Sequence, residues 1–298
     1  MKQPNYTFVS IIIPTFREWK FLGKCLDALY AQSYPQNSFE IIVVNNDPSD
    51  PVPETLTFRE NVRLLTEVKV GSYAARNKGI NHAKGSIIGL TDSDCIPDVN
   101  WIRNAVEYLK QNPLCSRVAG KISIILKGNR PTVVEMYNEI YAFPQQWLIA
   151  NGGGSITGNL FTYKRVFHEA GFFDEQLLSM GDVAWGKVAQ RAGFEVHYVP
   201  DVIVYHPSRD FRALVKKEKR HGGGVARMNP GSRHYFREML RLIYQMRPDI
   251  RSLKFLLSSR KNLGIQHRLL IPLVRYYLMN IRRIEKFKVQ MGKAPNRE

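Results

Sequence analysis

The sequence predicts an α/β fold: a mainly parallel sheet flanked by helices, followed by a helical basic C-terminal extension. Three observations carry this. Short β-branched runs alternate with helical stripes through the first two thirds of the chain. Polar, often acidic, residues stand directly where those strands run out. The charge is also divided unevenly. Of 298 residues, 43 Lys and Arg oppose 26 Asp and Glu, for a formal net charge of +17. Residues 1–208 hold 20 of each sign, whereas residues 209–298 hold 23 basic against 6 acidic. The expected division is therefore a domain over 1–208 and an extension over 209–298 whose partner is polyanionic.

Phe8 to Ile13 is apolar and β-branched and meets Pro14, as a buried strand should. Residues 18–32 place Phe21, Leu22, Cys25, Leu26 and Leu29 on one helical stripe. Phe39 to Val44 is the second strand, ending in Asn45-Asn46-Asp47-Pro48, and Val62 to Leu65 is a weaker third. A helix over 72–84 leads to the strand Ile87-Ile88-Gly89-Leu90. This βαβ order implies parallel pairing, and parallel sheets bind ligands at the carboxyl ends of their strands. Trp101 to Lys110 reads as a helix and Val118 to Leu126 as a strand. Gly152 to Asn159 reads as a flexible loop before the strand Leu160 to Tyr163. A short helix over Val166 to Ala170 stops at Gly171, and a longer one over Asp182 to Ala192 stops at Gly193. Glu195 to Val199 and Val202 to His206 read as two strands. From Phe211 the text is helical, with expected breaks at His221-Gly222-Gly223-Gly224 and at Pro230-Gly231.

The length fits one large domain with an appendage. Cys25, Cys95 and Cys115 are odd in number, lack metal-ligand spacing and point to a reducing compartment. The brief apolar run near the N-terminus is a strand, not a signal peptide. No stretch reaches the roughly 18 uninterrupted apolar residues of a membrane span. The expected location is the cytoplasm, peripheral to the inner face of the membrane.

Thr91-Asp92-Ser93-Asp94 is the most telling tetrapeptide. Two carboxylates one residue apart, at a strand end, concentrate negative charge that a hard divalent cation can balance. Asp-x-Asp alone is more often a solvated turn, so its surroundings decide. Those surroundings are Val9 to Glu18, Phe39 to Asp47, Ala74-Ala75-Arg76-Asn77-Lys78-Gly79-Ile80, Gly158-Asn159, Gly171-Phe172-Phe173-Asp174-Glu175 and Gly181-Asp182. Together, over about residues 8–207, they resemble the family 2 glycosyltransferases of GT-A fold.

The resemblance implies a nucleotide-binding sheet and a nucleotide-diphosphate sugar donor, a UDP-sugar foremost. It implies an acceptor that is a glycan or lipid-linked, and an inverting single displacement in cell-surface polysaccharide or glycoconjugate synthesis. Asp94, and Asp92 indirectly, would hold Mg²⁺ or Mn²⁺ against both phosphates, with Asp92 and Ser93 facing the nucleotide. His206 completes the metal shell in some such enzymes; a packed His is the competing reading. Pro14, Thr15 and Glu18 would line the base pocket with Asn46 and Asp47, and Arg76 resembles the basic residue behind it, with a surface salt bridge as the competing reading. Where many relatives carry two acidic residues this chain has Asn45-Asn46. Asn can donate to and accept from a uracil edge, and a plain Asx turn is the competing reading. Asp182 stands where the family keeps its catalytic base, without the Glu that often precedes it; an N-cap is the competing role. The Gly152–Gly158 segment could admit a bulky acceptor. The His221–Gly224 run could be a lid over the diphosphate, though an interhelical hinge fits it better.

Residues 263–290 set Leu263, Leu269, Leu270, Leu273, Val274, Tyr277, Leu278 and Ile281 among Arg and Lys, with an interruption at Pro272. Such helices lie on anionic membranes or dock by their apolar face. No nucleic-acid motif accompanies them, and no nucleic-acid partner is expected. Two other functions compete with glycosyl transfer. One is a catalytically lapsed nucleotide-binding protein or basic membrane-associated adaptor, which would not need Asp92, Asp94 and Asp182 together. The other is a sugar nucleotidyltransferase, whose Gly-rich basic loop after the first strand is not Thr15-Phe16-Arg17-Glu18.

Overall fold

A computed structural model describes residues 6–229, 234–248 and 263–296. The chain forms two compact units. The first comprises Met1–Ser123, Pro144–Gln176 and Gly181–Pro207; the second comprises Ile124–Phe143, Leu177–Met180 and Ser208–Glu298.

The first unit is built on one sheet. Its strands are β1 (Val9–Thr15), β2 (Phe39–Asn45), β3 (Val62–Thr66), β4 (Ile87–Thr91), β5 (Ile96–Pro97), β6 (Cys115–Ile125), β7 (Asn159–Tyr163) and β8 (Glu195–Pro207). Their order is β3-β2-β1-β4-β7-β6-β8-β5. The β3-β2-β1-β4 half is parallel, and β4–β7, β6–β7 and β5–β8 run antiparallel. Helices α1 (Trp19–Tyr30), α2 (Ser72–His82), α3 (Trp101–Gln111), α5 (Gln145–Ala150), α6 (Lys164–Ala170) and α7 (Gly181–Arg191) belong to this unit, with α4 (Val133–Tyr141) in the other. β1 is buried throughout because it is central and parallel, which explains its unbroken Ile run. Pro14 does not end it: the strand continues to Thr15, with Pro14 opposite Val44.

Asn159, fully buried, ties the sheet to α3. It accepts from Trp101 Nε1 (2.8 Å) and donates to the carbonyls of Lys121 (2.8 Å) and Val202 (2.9 Å). That bond helps explain why β8 is one strand and not two. The Val202 carbonyl meets Asn159, and the Ile203 carbonyl accepts from Asp98 N–H at 3.0 Å, so Pro200-Asp201 does not release the chain. The expected open loop over Gly152–Gly158 is packed from Gly153 through Ser155 and again at Thr157 and Gly158. Gly152 (φ 113°) and Gly153 (φ 74°) adopt the left-handed region, and a Cβ on Gly153 would meet Gln190 at 2.5 Å. Arg117, buried with no carboxylate partner among its bonds, fastens this segment by donating to Gly153 O at 3.1 Å and Phe194 O at 2.9 Å.

In the second unit, α4, α8 (Phe211–Met228), α9 (Tyr235–Gln245) and α10 (Ile265–Gln290) pack together. Met136, Tyr137, Leu214, Leu263, Ile271 and Leu278 form its core. Two expected interruptions do not occur. His221–Gly224 lies inside α8 and is neither lid nor hinge. A Cβ on Gly222 would meet Arg282 O at 2.5 Å and one on Gly224 would meet Ser179 O at 2.5 Å, so the glycines are a close-packing face. Pro272 lies inside α10. A mid-helix Pro costs about 3 kcal/mol, and burial of Ile271 and Leu278, about 2 kcal/mol each, offsets it. The expected break at Pro230-Gly231 lies outside the described residues.

Gly120 is where the sheet tolerates least. A Cβ there would lie 2.1 Å from Val202 O and 2.4 Å from Asn159 Nδ2. Gly120→Ala should destabilise the protein by about 2 kcal/mol in urea unfolding, a typical cost of overpacking. Gly128→Ala, with nothing within 4 Å, should change stability little and serves as control.

Candidate active site

The carboxyl ends of β1, β2 and β4 meet in one place, as parallel pairing in register requires. Each residue after β4 has a different partner. Asp92 Oδ1 accepts from Arg76 Nη2 at 2.5 Å. Ser93 Oγ donates to Glu18 Oε2 at 2.7 Å. Asp94 Oδ2 lies 3.0 Å from His206 Nε2. Arg76 is therefore no surface residue: it is 3% exposed, on the inward face of α2.

His206, 1% exposed, ends β8 with Nδ1 2.6 Å from its neighbour's carbonyl, Pro207 O. Nδ1 must donate to that carbonyl, so in the neutral ring Nε2 carries a lone pair facing a carboxylate oxygen. Two lone pairs at 3.0 Å repel unless the ring is protonated or a cation sits against both atoms. Adjacent ligands on a six-coordinate ion with bonds of about 2.1 Å stand about 3 Å apart, so the pair fits a divalent cation. Ligand atoms of Asp92, Asp94 and Cys95 also lie within 4.8 Å of one another. Burial and the charges of Asp94 and Asp92 hold the Cys95 pKa well above its ordinary value. A thiol is a soft ligand, whereas a hard cation favours carboxylate oxygen and accepts imidazole nitrogen, so Asp92, Asp94 and His206 are the candidate donors.

At the ends of β1 and β2, Thr15 Oγ1 is buried without a hydrogen-bond partner, beside Pro14. Asn45 makes an Asx turn, accepting from Asp47 N–H at 2.9 Å. The Asn46 amide donates to Glu67 O (3.0 Å) and Lys69 O (2.7 Å) and accepts from Gly71 N–H (2.8 Å). These bonds shape the loop entering α2, where Gly71 takes φ 124°. Asp47 holds Ser49 Oγ at 2.6 Å and Arg17 Nε at 2.6 Å, and these bonds lower its pKa to about 2.

Asp182 is not the cap of α7 but lies in its first turn, where a negative charge suits the helix dipole. Its oxygens accept from Tyr73 Oη (3.0 Å), Val183 N–H (2.9 Å) and, at 3.3 Å, Thr157 N–H. Burial raises its pKa above the usual carboxylate value, and Arg76 opposes that rise. Arg76 thus acts on both Asp92 and Asp182. Tyr73 and Thr157 are partners that sequence reasoning missed. Tyr73 stands three residues before Arg76 on α2, so helical spacing could have put it on the same face.

The family model for Glycosyl transferase family 2 matches residues 10–171. The glycosyltransferase AglE of Haloferax volcanii is 35% identical over 222 residues, covering 73% of this chain and 72% of that protein. A Methanococcus voltae protein is 23% identical over 236 residues, covering 74% of each; it is named as a dolichyl N-acetyl-α-D-glucosaminyl phosphate diacetamido-dideoxy-glucuronosyltransferase. Among solved structures, a mannosyltransferase from Pyrobaculum calidifontis with GDP-Man and Mn²⁺ aligns with TM-score 0.57 at 18% identity. It covers 96% of this chain and 74% of that one. TarS 1–349 of S. aureus with UDP-GlcNAc aligns at 0.55 and 14% identity, covering 96% and 92%. The chain belongs to glycosyltransferase family 2 and is a glycosyltransferase with a GT-A-like fold.

The Asp47 bonds make a pH prediction. Its folded pKa of about 2 lies below its ordinary 3.8, so the bonds stabilise the fold above about pH 4 and fade as pH falls toward 2. Wild type should exceed Asp47→Asn in urea midpoint by a constant margin from pH 7 to 5, and that margin should shrink steadily below pH 4.

Proposed function

We propose that this enzyme is an inverting, metal-dependent glycosyltransferase. It moves a sugar from a nucleotide-diphosphate sugar, a UDP-sugar foremost, to a hydroxyl of a glycan or lipid-linked acceptor during cell-surface polysaccharide or glycoconjugate synthesis. The observation that carries this reading is the cation Arg76 acting on both Asp92 and Asp182, with Asp94 and His206 facing each other. Donors and acceptors named for similar proteins support it: UDP-GlcNAc, GDP-Man and a dolichyl-phosphate-linked sugar.

Asp94 and His206 would hold Mn²⁺ or Mg²⁺, with Asp92 reaching the ion's waters. The bound ion supplies Lewis-acid stabilisation of charge developing on the departing diphosphate. Pro14 and the buried, unpartnered hydroxyl of Thr15 offer a surface and a polar atom to the base, while Asp47 and the Asn46-anchored loop close its side. Ser93, through Glu18, fixes the turn that carries both metal-site carboxylates. Asp182 takes the acceptor's hydroxyl proton. Its raised pKa makes it a stronger base than an exposed carboxylate, and Tyr73 and Thr157 aim its oxygens.

Two variants separate these roles. Asp182→Asn keeps the hydrogen-bonding oxygen but takes no proton, so donor binding should persist while transfer drops roughly two to four orders of magnitude. Asp94→Ala should instead abolish Mn²⁺-dependent nucleotide-diphosphate binding in calorimetry. Transfer by Asp182→Asn within a few-fold of wild type would place the base elsewhere, and unchanged metal-dependent binding by Asp94→Ala would end the metal assignment.

The second unit supports a membrane-surface partner. Among the described residues no helix is long and apolar enough to cross a membrane. Yet α9 leaves Phe236, Leu240, Ile243 and Tyr244 exposed at helical spacing, and α10 does the same with Ile265, Leu269, Leu273 and Tyr276. Arg and Lys surround both stripes. The opposite side of α10 buries Ile271 and Leu278 against α4 and α8, so this helix docks by one face and shows another. Such a face suits the headgroup boundary of an anionic bilayer. Full-length protein should co-sediment with anionic vesicles at low salt and release as salt rises. Leu269→Ser with Leu273→Ser, both exposed, should weaken that binding at least tenfold with folding intact. Equal binding to neutral and anionic vesicles would refute the electrostatic part.

A further inference from the structure

We infer that two buried side chains, Gln145 and Arg117, are positioning residues for Asp182, which they reach through the backbone N–H of Thr157, a role that rests on Asp182 being the base. Every residue involved belongs to the first unit. Gln145, 3% exposed, brackets Thr157 from α5. Its Oε1 accepts from Ile156 N–H at 2.9 Å, and its Nε2 donates to Asn159 O at 3.1 Å. Between those two points Thr91 Oγ1 donates to Gly158 O at 3.1 Å. The neighbours of Thr157 on both sides are therefore fixed.

Arg117 sets the same segment against the helix that bears Asp182. Its guanidinium donates to Gly153 O in the segment and to Gln190 Oε1 of α7, each at 3.1 Å. It also donates to Phe194 O, just beyond α7, at 2.9 Å. Glycines let the two surfaces close up. A Cβ on Gly154 would meet Val183 Cγ1 at 2.9 Å, and one on Gly186 would meet Gly153 O at 2.8 Å. Val183 follows Asp182, so the segment rests on the turn that carries the carboxylate. Burial lowers the Arg117 pKa to about 10, which leaves it protonated at neutral pH and its bonds charge-assisted. The Thr157 N–H meets Asp182 at 3.3 Å. Ordinary N–H···O bonds reach about 3.2 Å, so a small shift of the segment removes this one. Both clamps converge on the N–H that the segment gives to Asp182; a loop that only connects α5 to β7 needs neither.

Full-length protein labelled with ¹⁵N-threonine tests this without a substrate. The Thr157 amide signal, assigned by its loss in Thr157→Ser, should move upfield in Asp182→Asn, where the acceptor loses its charge. Gln145→Met and Arg117→Met keep the buried stems. Each should move the same signal, speed its hydrogen exchange by about tenfold or more, and make it insensitive to Asp182→Asn. Kinetics add a readout that a merely structural role would not move. With UDP-GlcNAc or GDP-Man and Mn²⁺, donor hydrolysis by Gln145→Met should lose about tenfold in kcat at unchanged KM. In the Asp182→Asn background the same change should cost nothing further. A folded Gln145→Met whose Thr157 signal answers Asp182→Asn as wild type does would overturn the proposal. A Thr157 signal that Asp182→Asn leaves in place would do the same. Should Arg117→Met fail to fold, Gln145→Met decides. Hydrolysis by Asp182→Asn at the wild-type rate would end the reading of Asp182 as the base, and the positioning role with it, even where the Thr157 coupling holds. Loss of the coupling alone ends only the positioning role, so the two failures are told apart.

Discussion

At the carboxyl end of β4 the chain places two aspartates one residue apart, and much of the first unit answers that concentration of charge. Asp92 is held by Arg76, brought in on α2 and almost fully buried. Asp94 is faced by His206, brought in by the last turn of the sheet's longest strand. Ser93 between them is tied to Glu18, which opens α1. A buried guanidinium is costly unless paired, and breaking a buried pair typically costs 3–5 kcal/mol because a bare charge remains. The position of Arg76 is thus set by Asp92, and the position of Asp92 by β4. Because Arg76 also lowers the pKa of Asp182, a substitution at this one cation reaches two carboxylates with different proposed duties.

The order of strands and helices was legible because each apolar run in a parallel sheet stops at an edge, where polar residues take over. The tetrapeptide Thr91–Asp94 could be picked out for the same reason. The pairs that complete the site were harder. Tyr73 and Asp182 are 109 residues apart, and no local period announces their meeting. His206 could be placed at a strand end, but its tautomer depends on the Pro207 carbonyl, which only the fold supplies. Local composition misled where tertiary contacts overrule it. Three glycines in a row read as a break because each costs a helix about 1 kcal/mol. In the folded chain they let α8 approach α10 closely enough that any Cβ on Gly222 would collide. Gly152–Gly158 read as open for a similar reason and is instead clamped by Arg117. The helix α4 carried a usable signal that composition obscured: Thr132 and Glu135 form a capping box.

The basic extension posed a choice between docking and membrane binding that sequence pattern could not resolve, since both need an amphipathic helix. The structure gives α10 one packed face and one exposed face. Its Ile271 and Leu278 belong to the core of the second unit, whereas Leu269 and Leu273 reach solvent. An apolar stripe wider than one packing partner can cover leaves part of itself in solvent. It also means that α10 cannot be cut away without exposing Met136 and Tyr137, so point substitutions on the outer face are the informative probes.

Asp182 shows how a helix-start residue can be distinguished from a base. A carboxylate serving only the helix terminus gains most when it stays charged, and burial works against that. Here desolvation is the largest influence on its pKa and outweighs three hydrogen bonds and a guanidinium. Tyr73 does not compete for the proton, because burial and the charge of Asp182 push its own pKa further up, so it remains a donor. Thr157 contributes a backbone N–H whose position depends on the packed glycine segment. The side chain is thereby oriented by donors while its proton affinity is raised by its surroundings. That combination has little value for a structural cap and suits the base proposed for the acceptor hydroxyl.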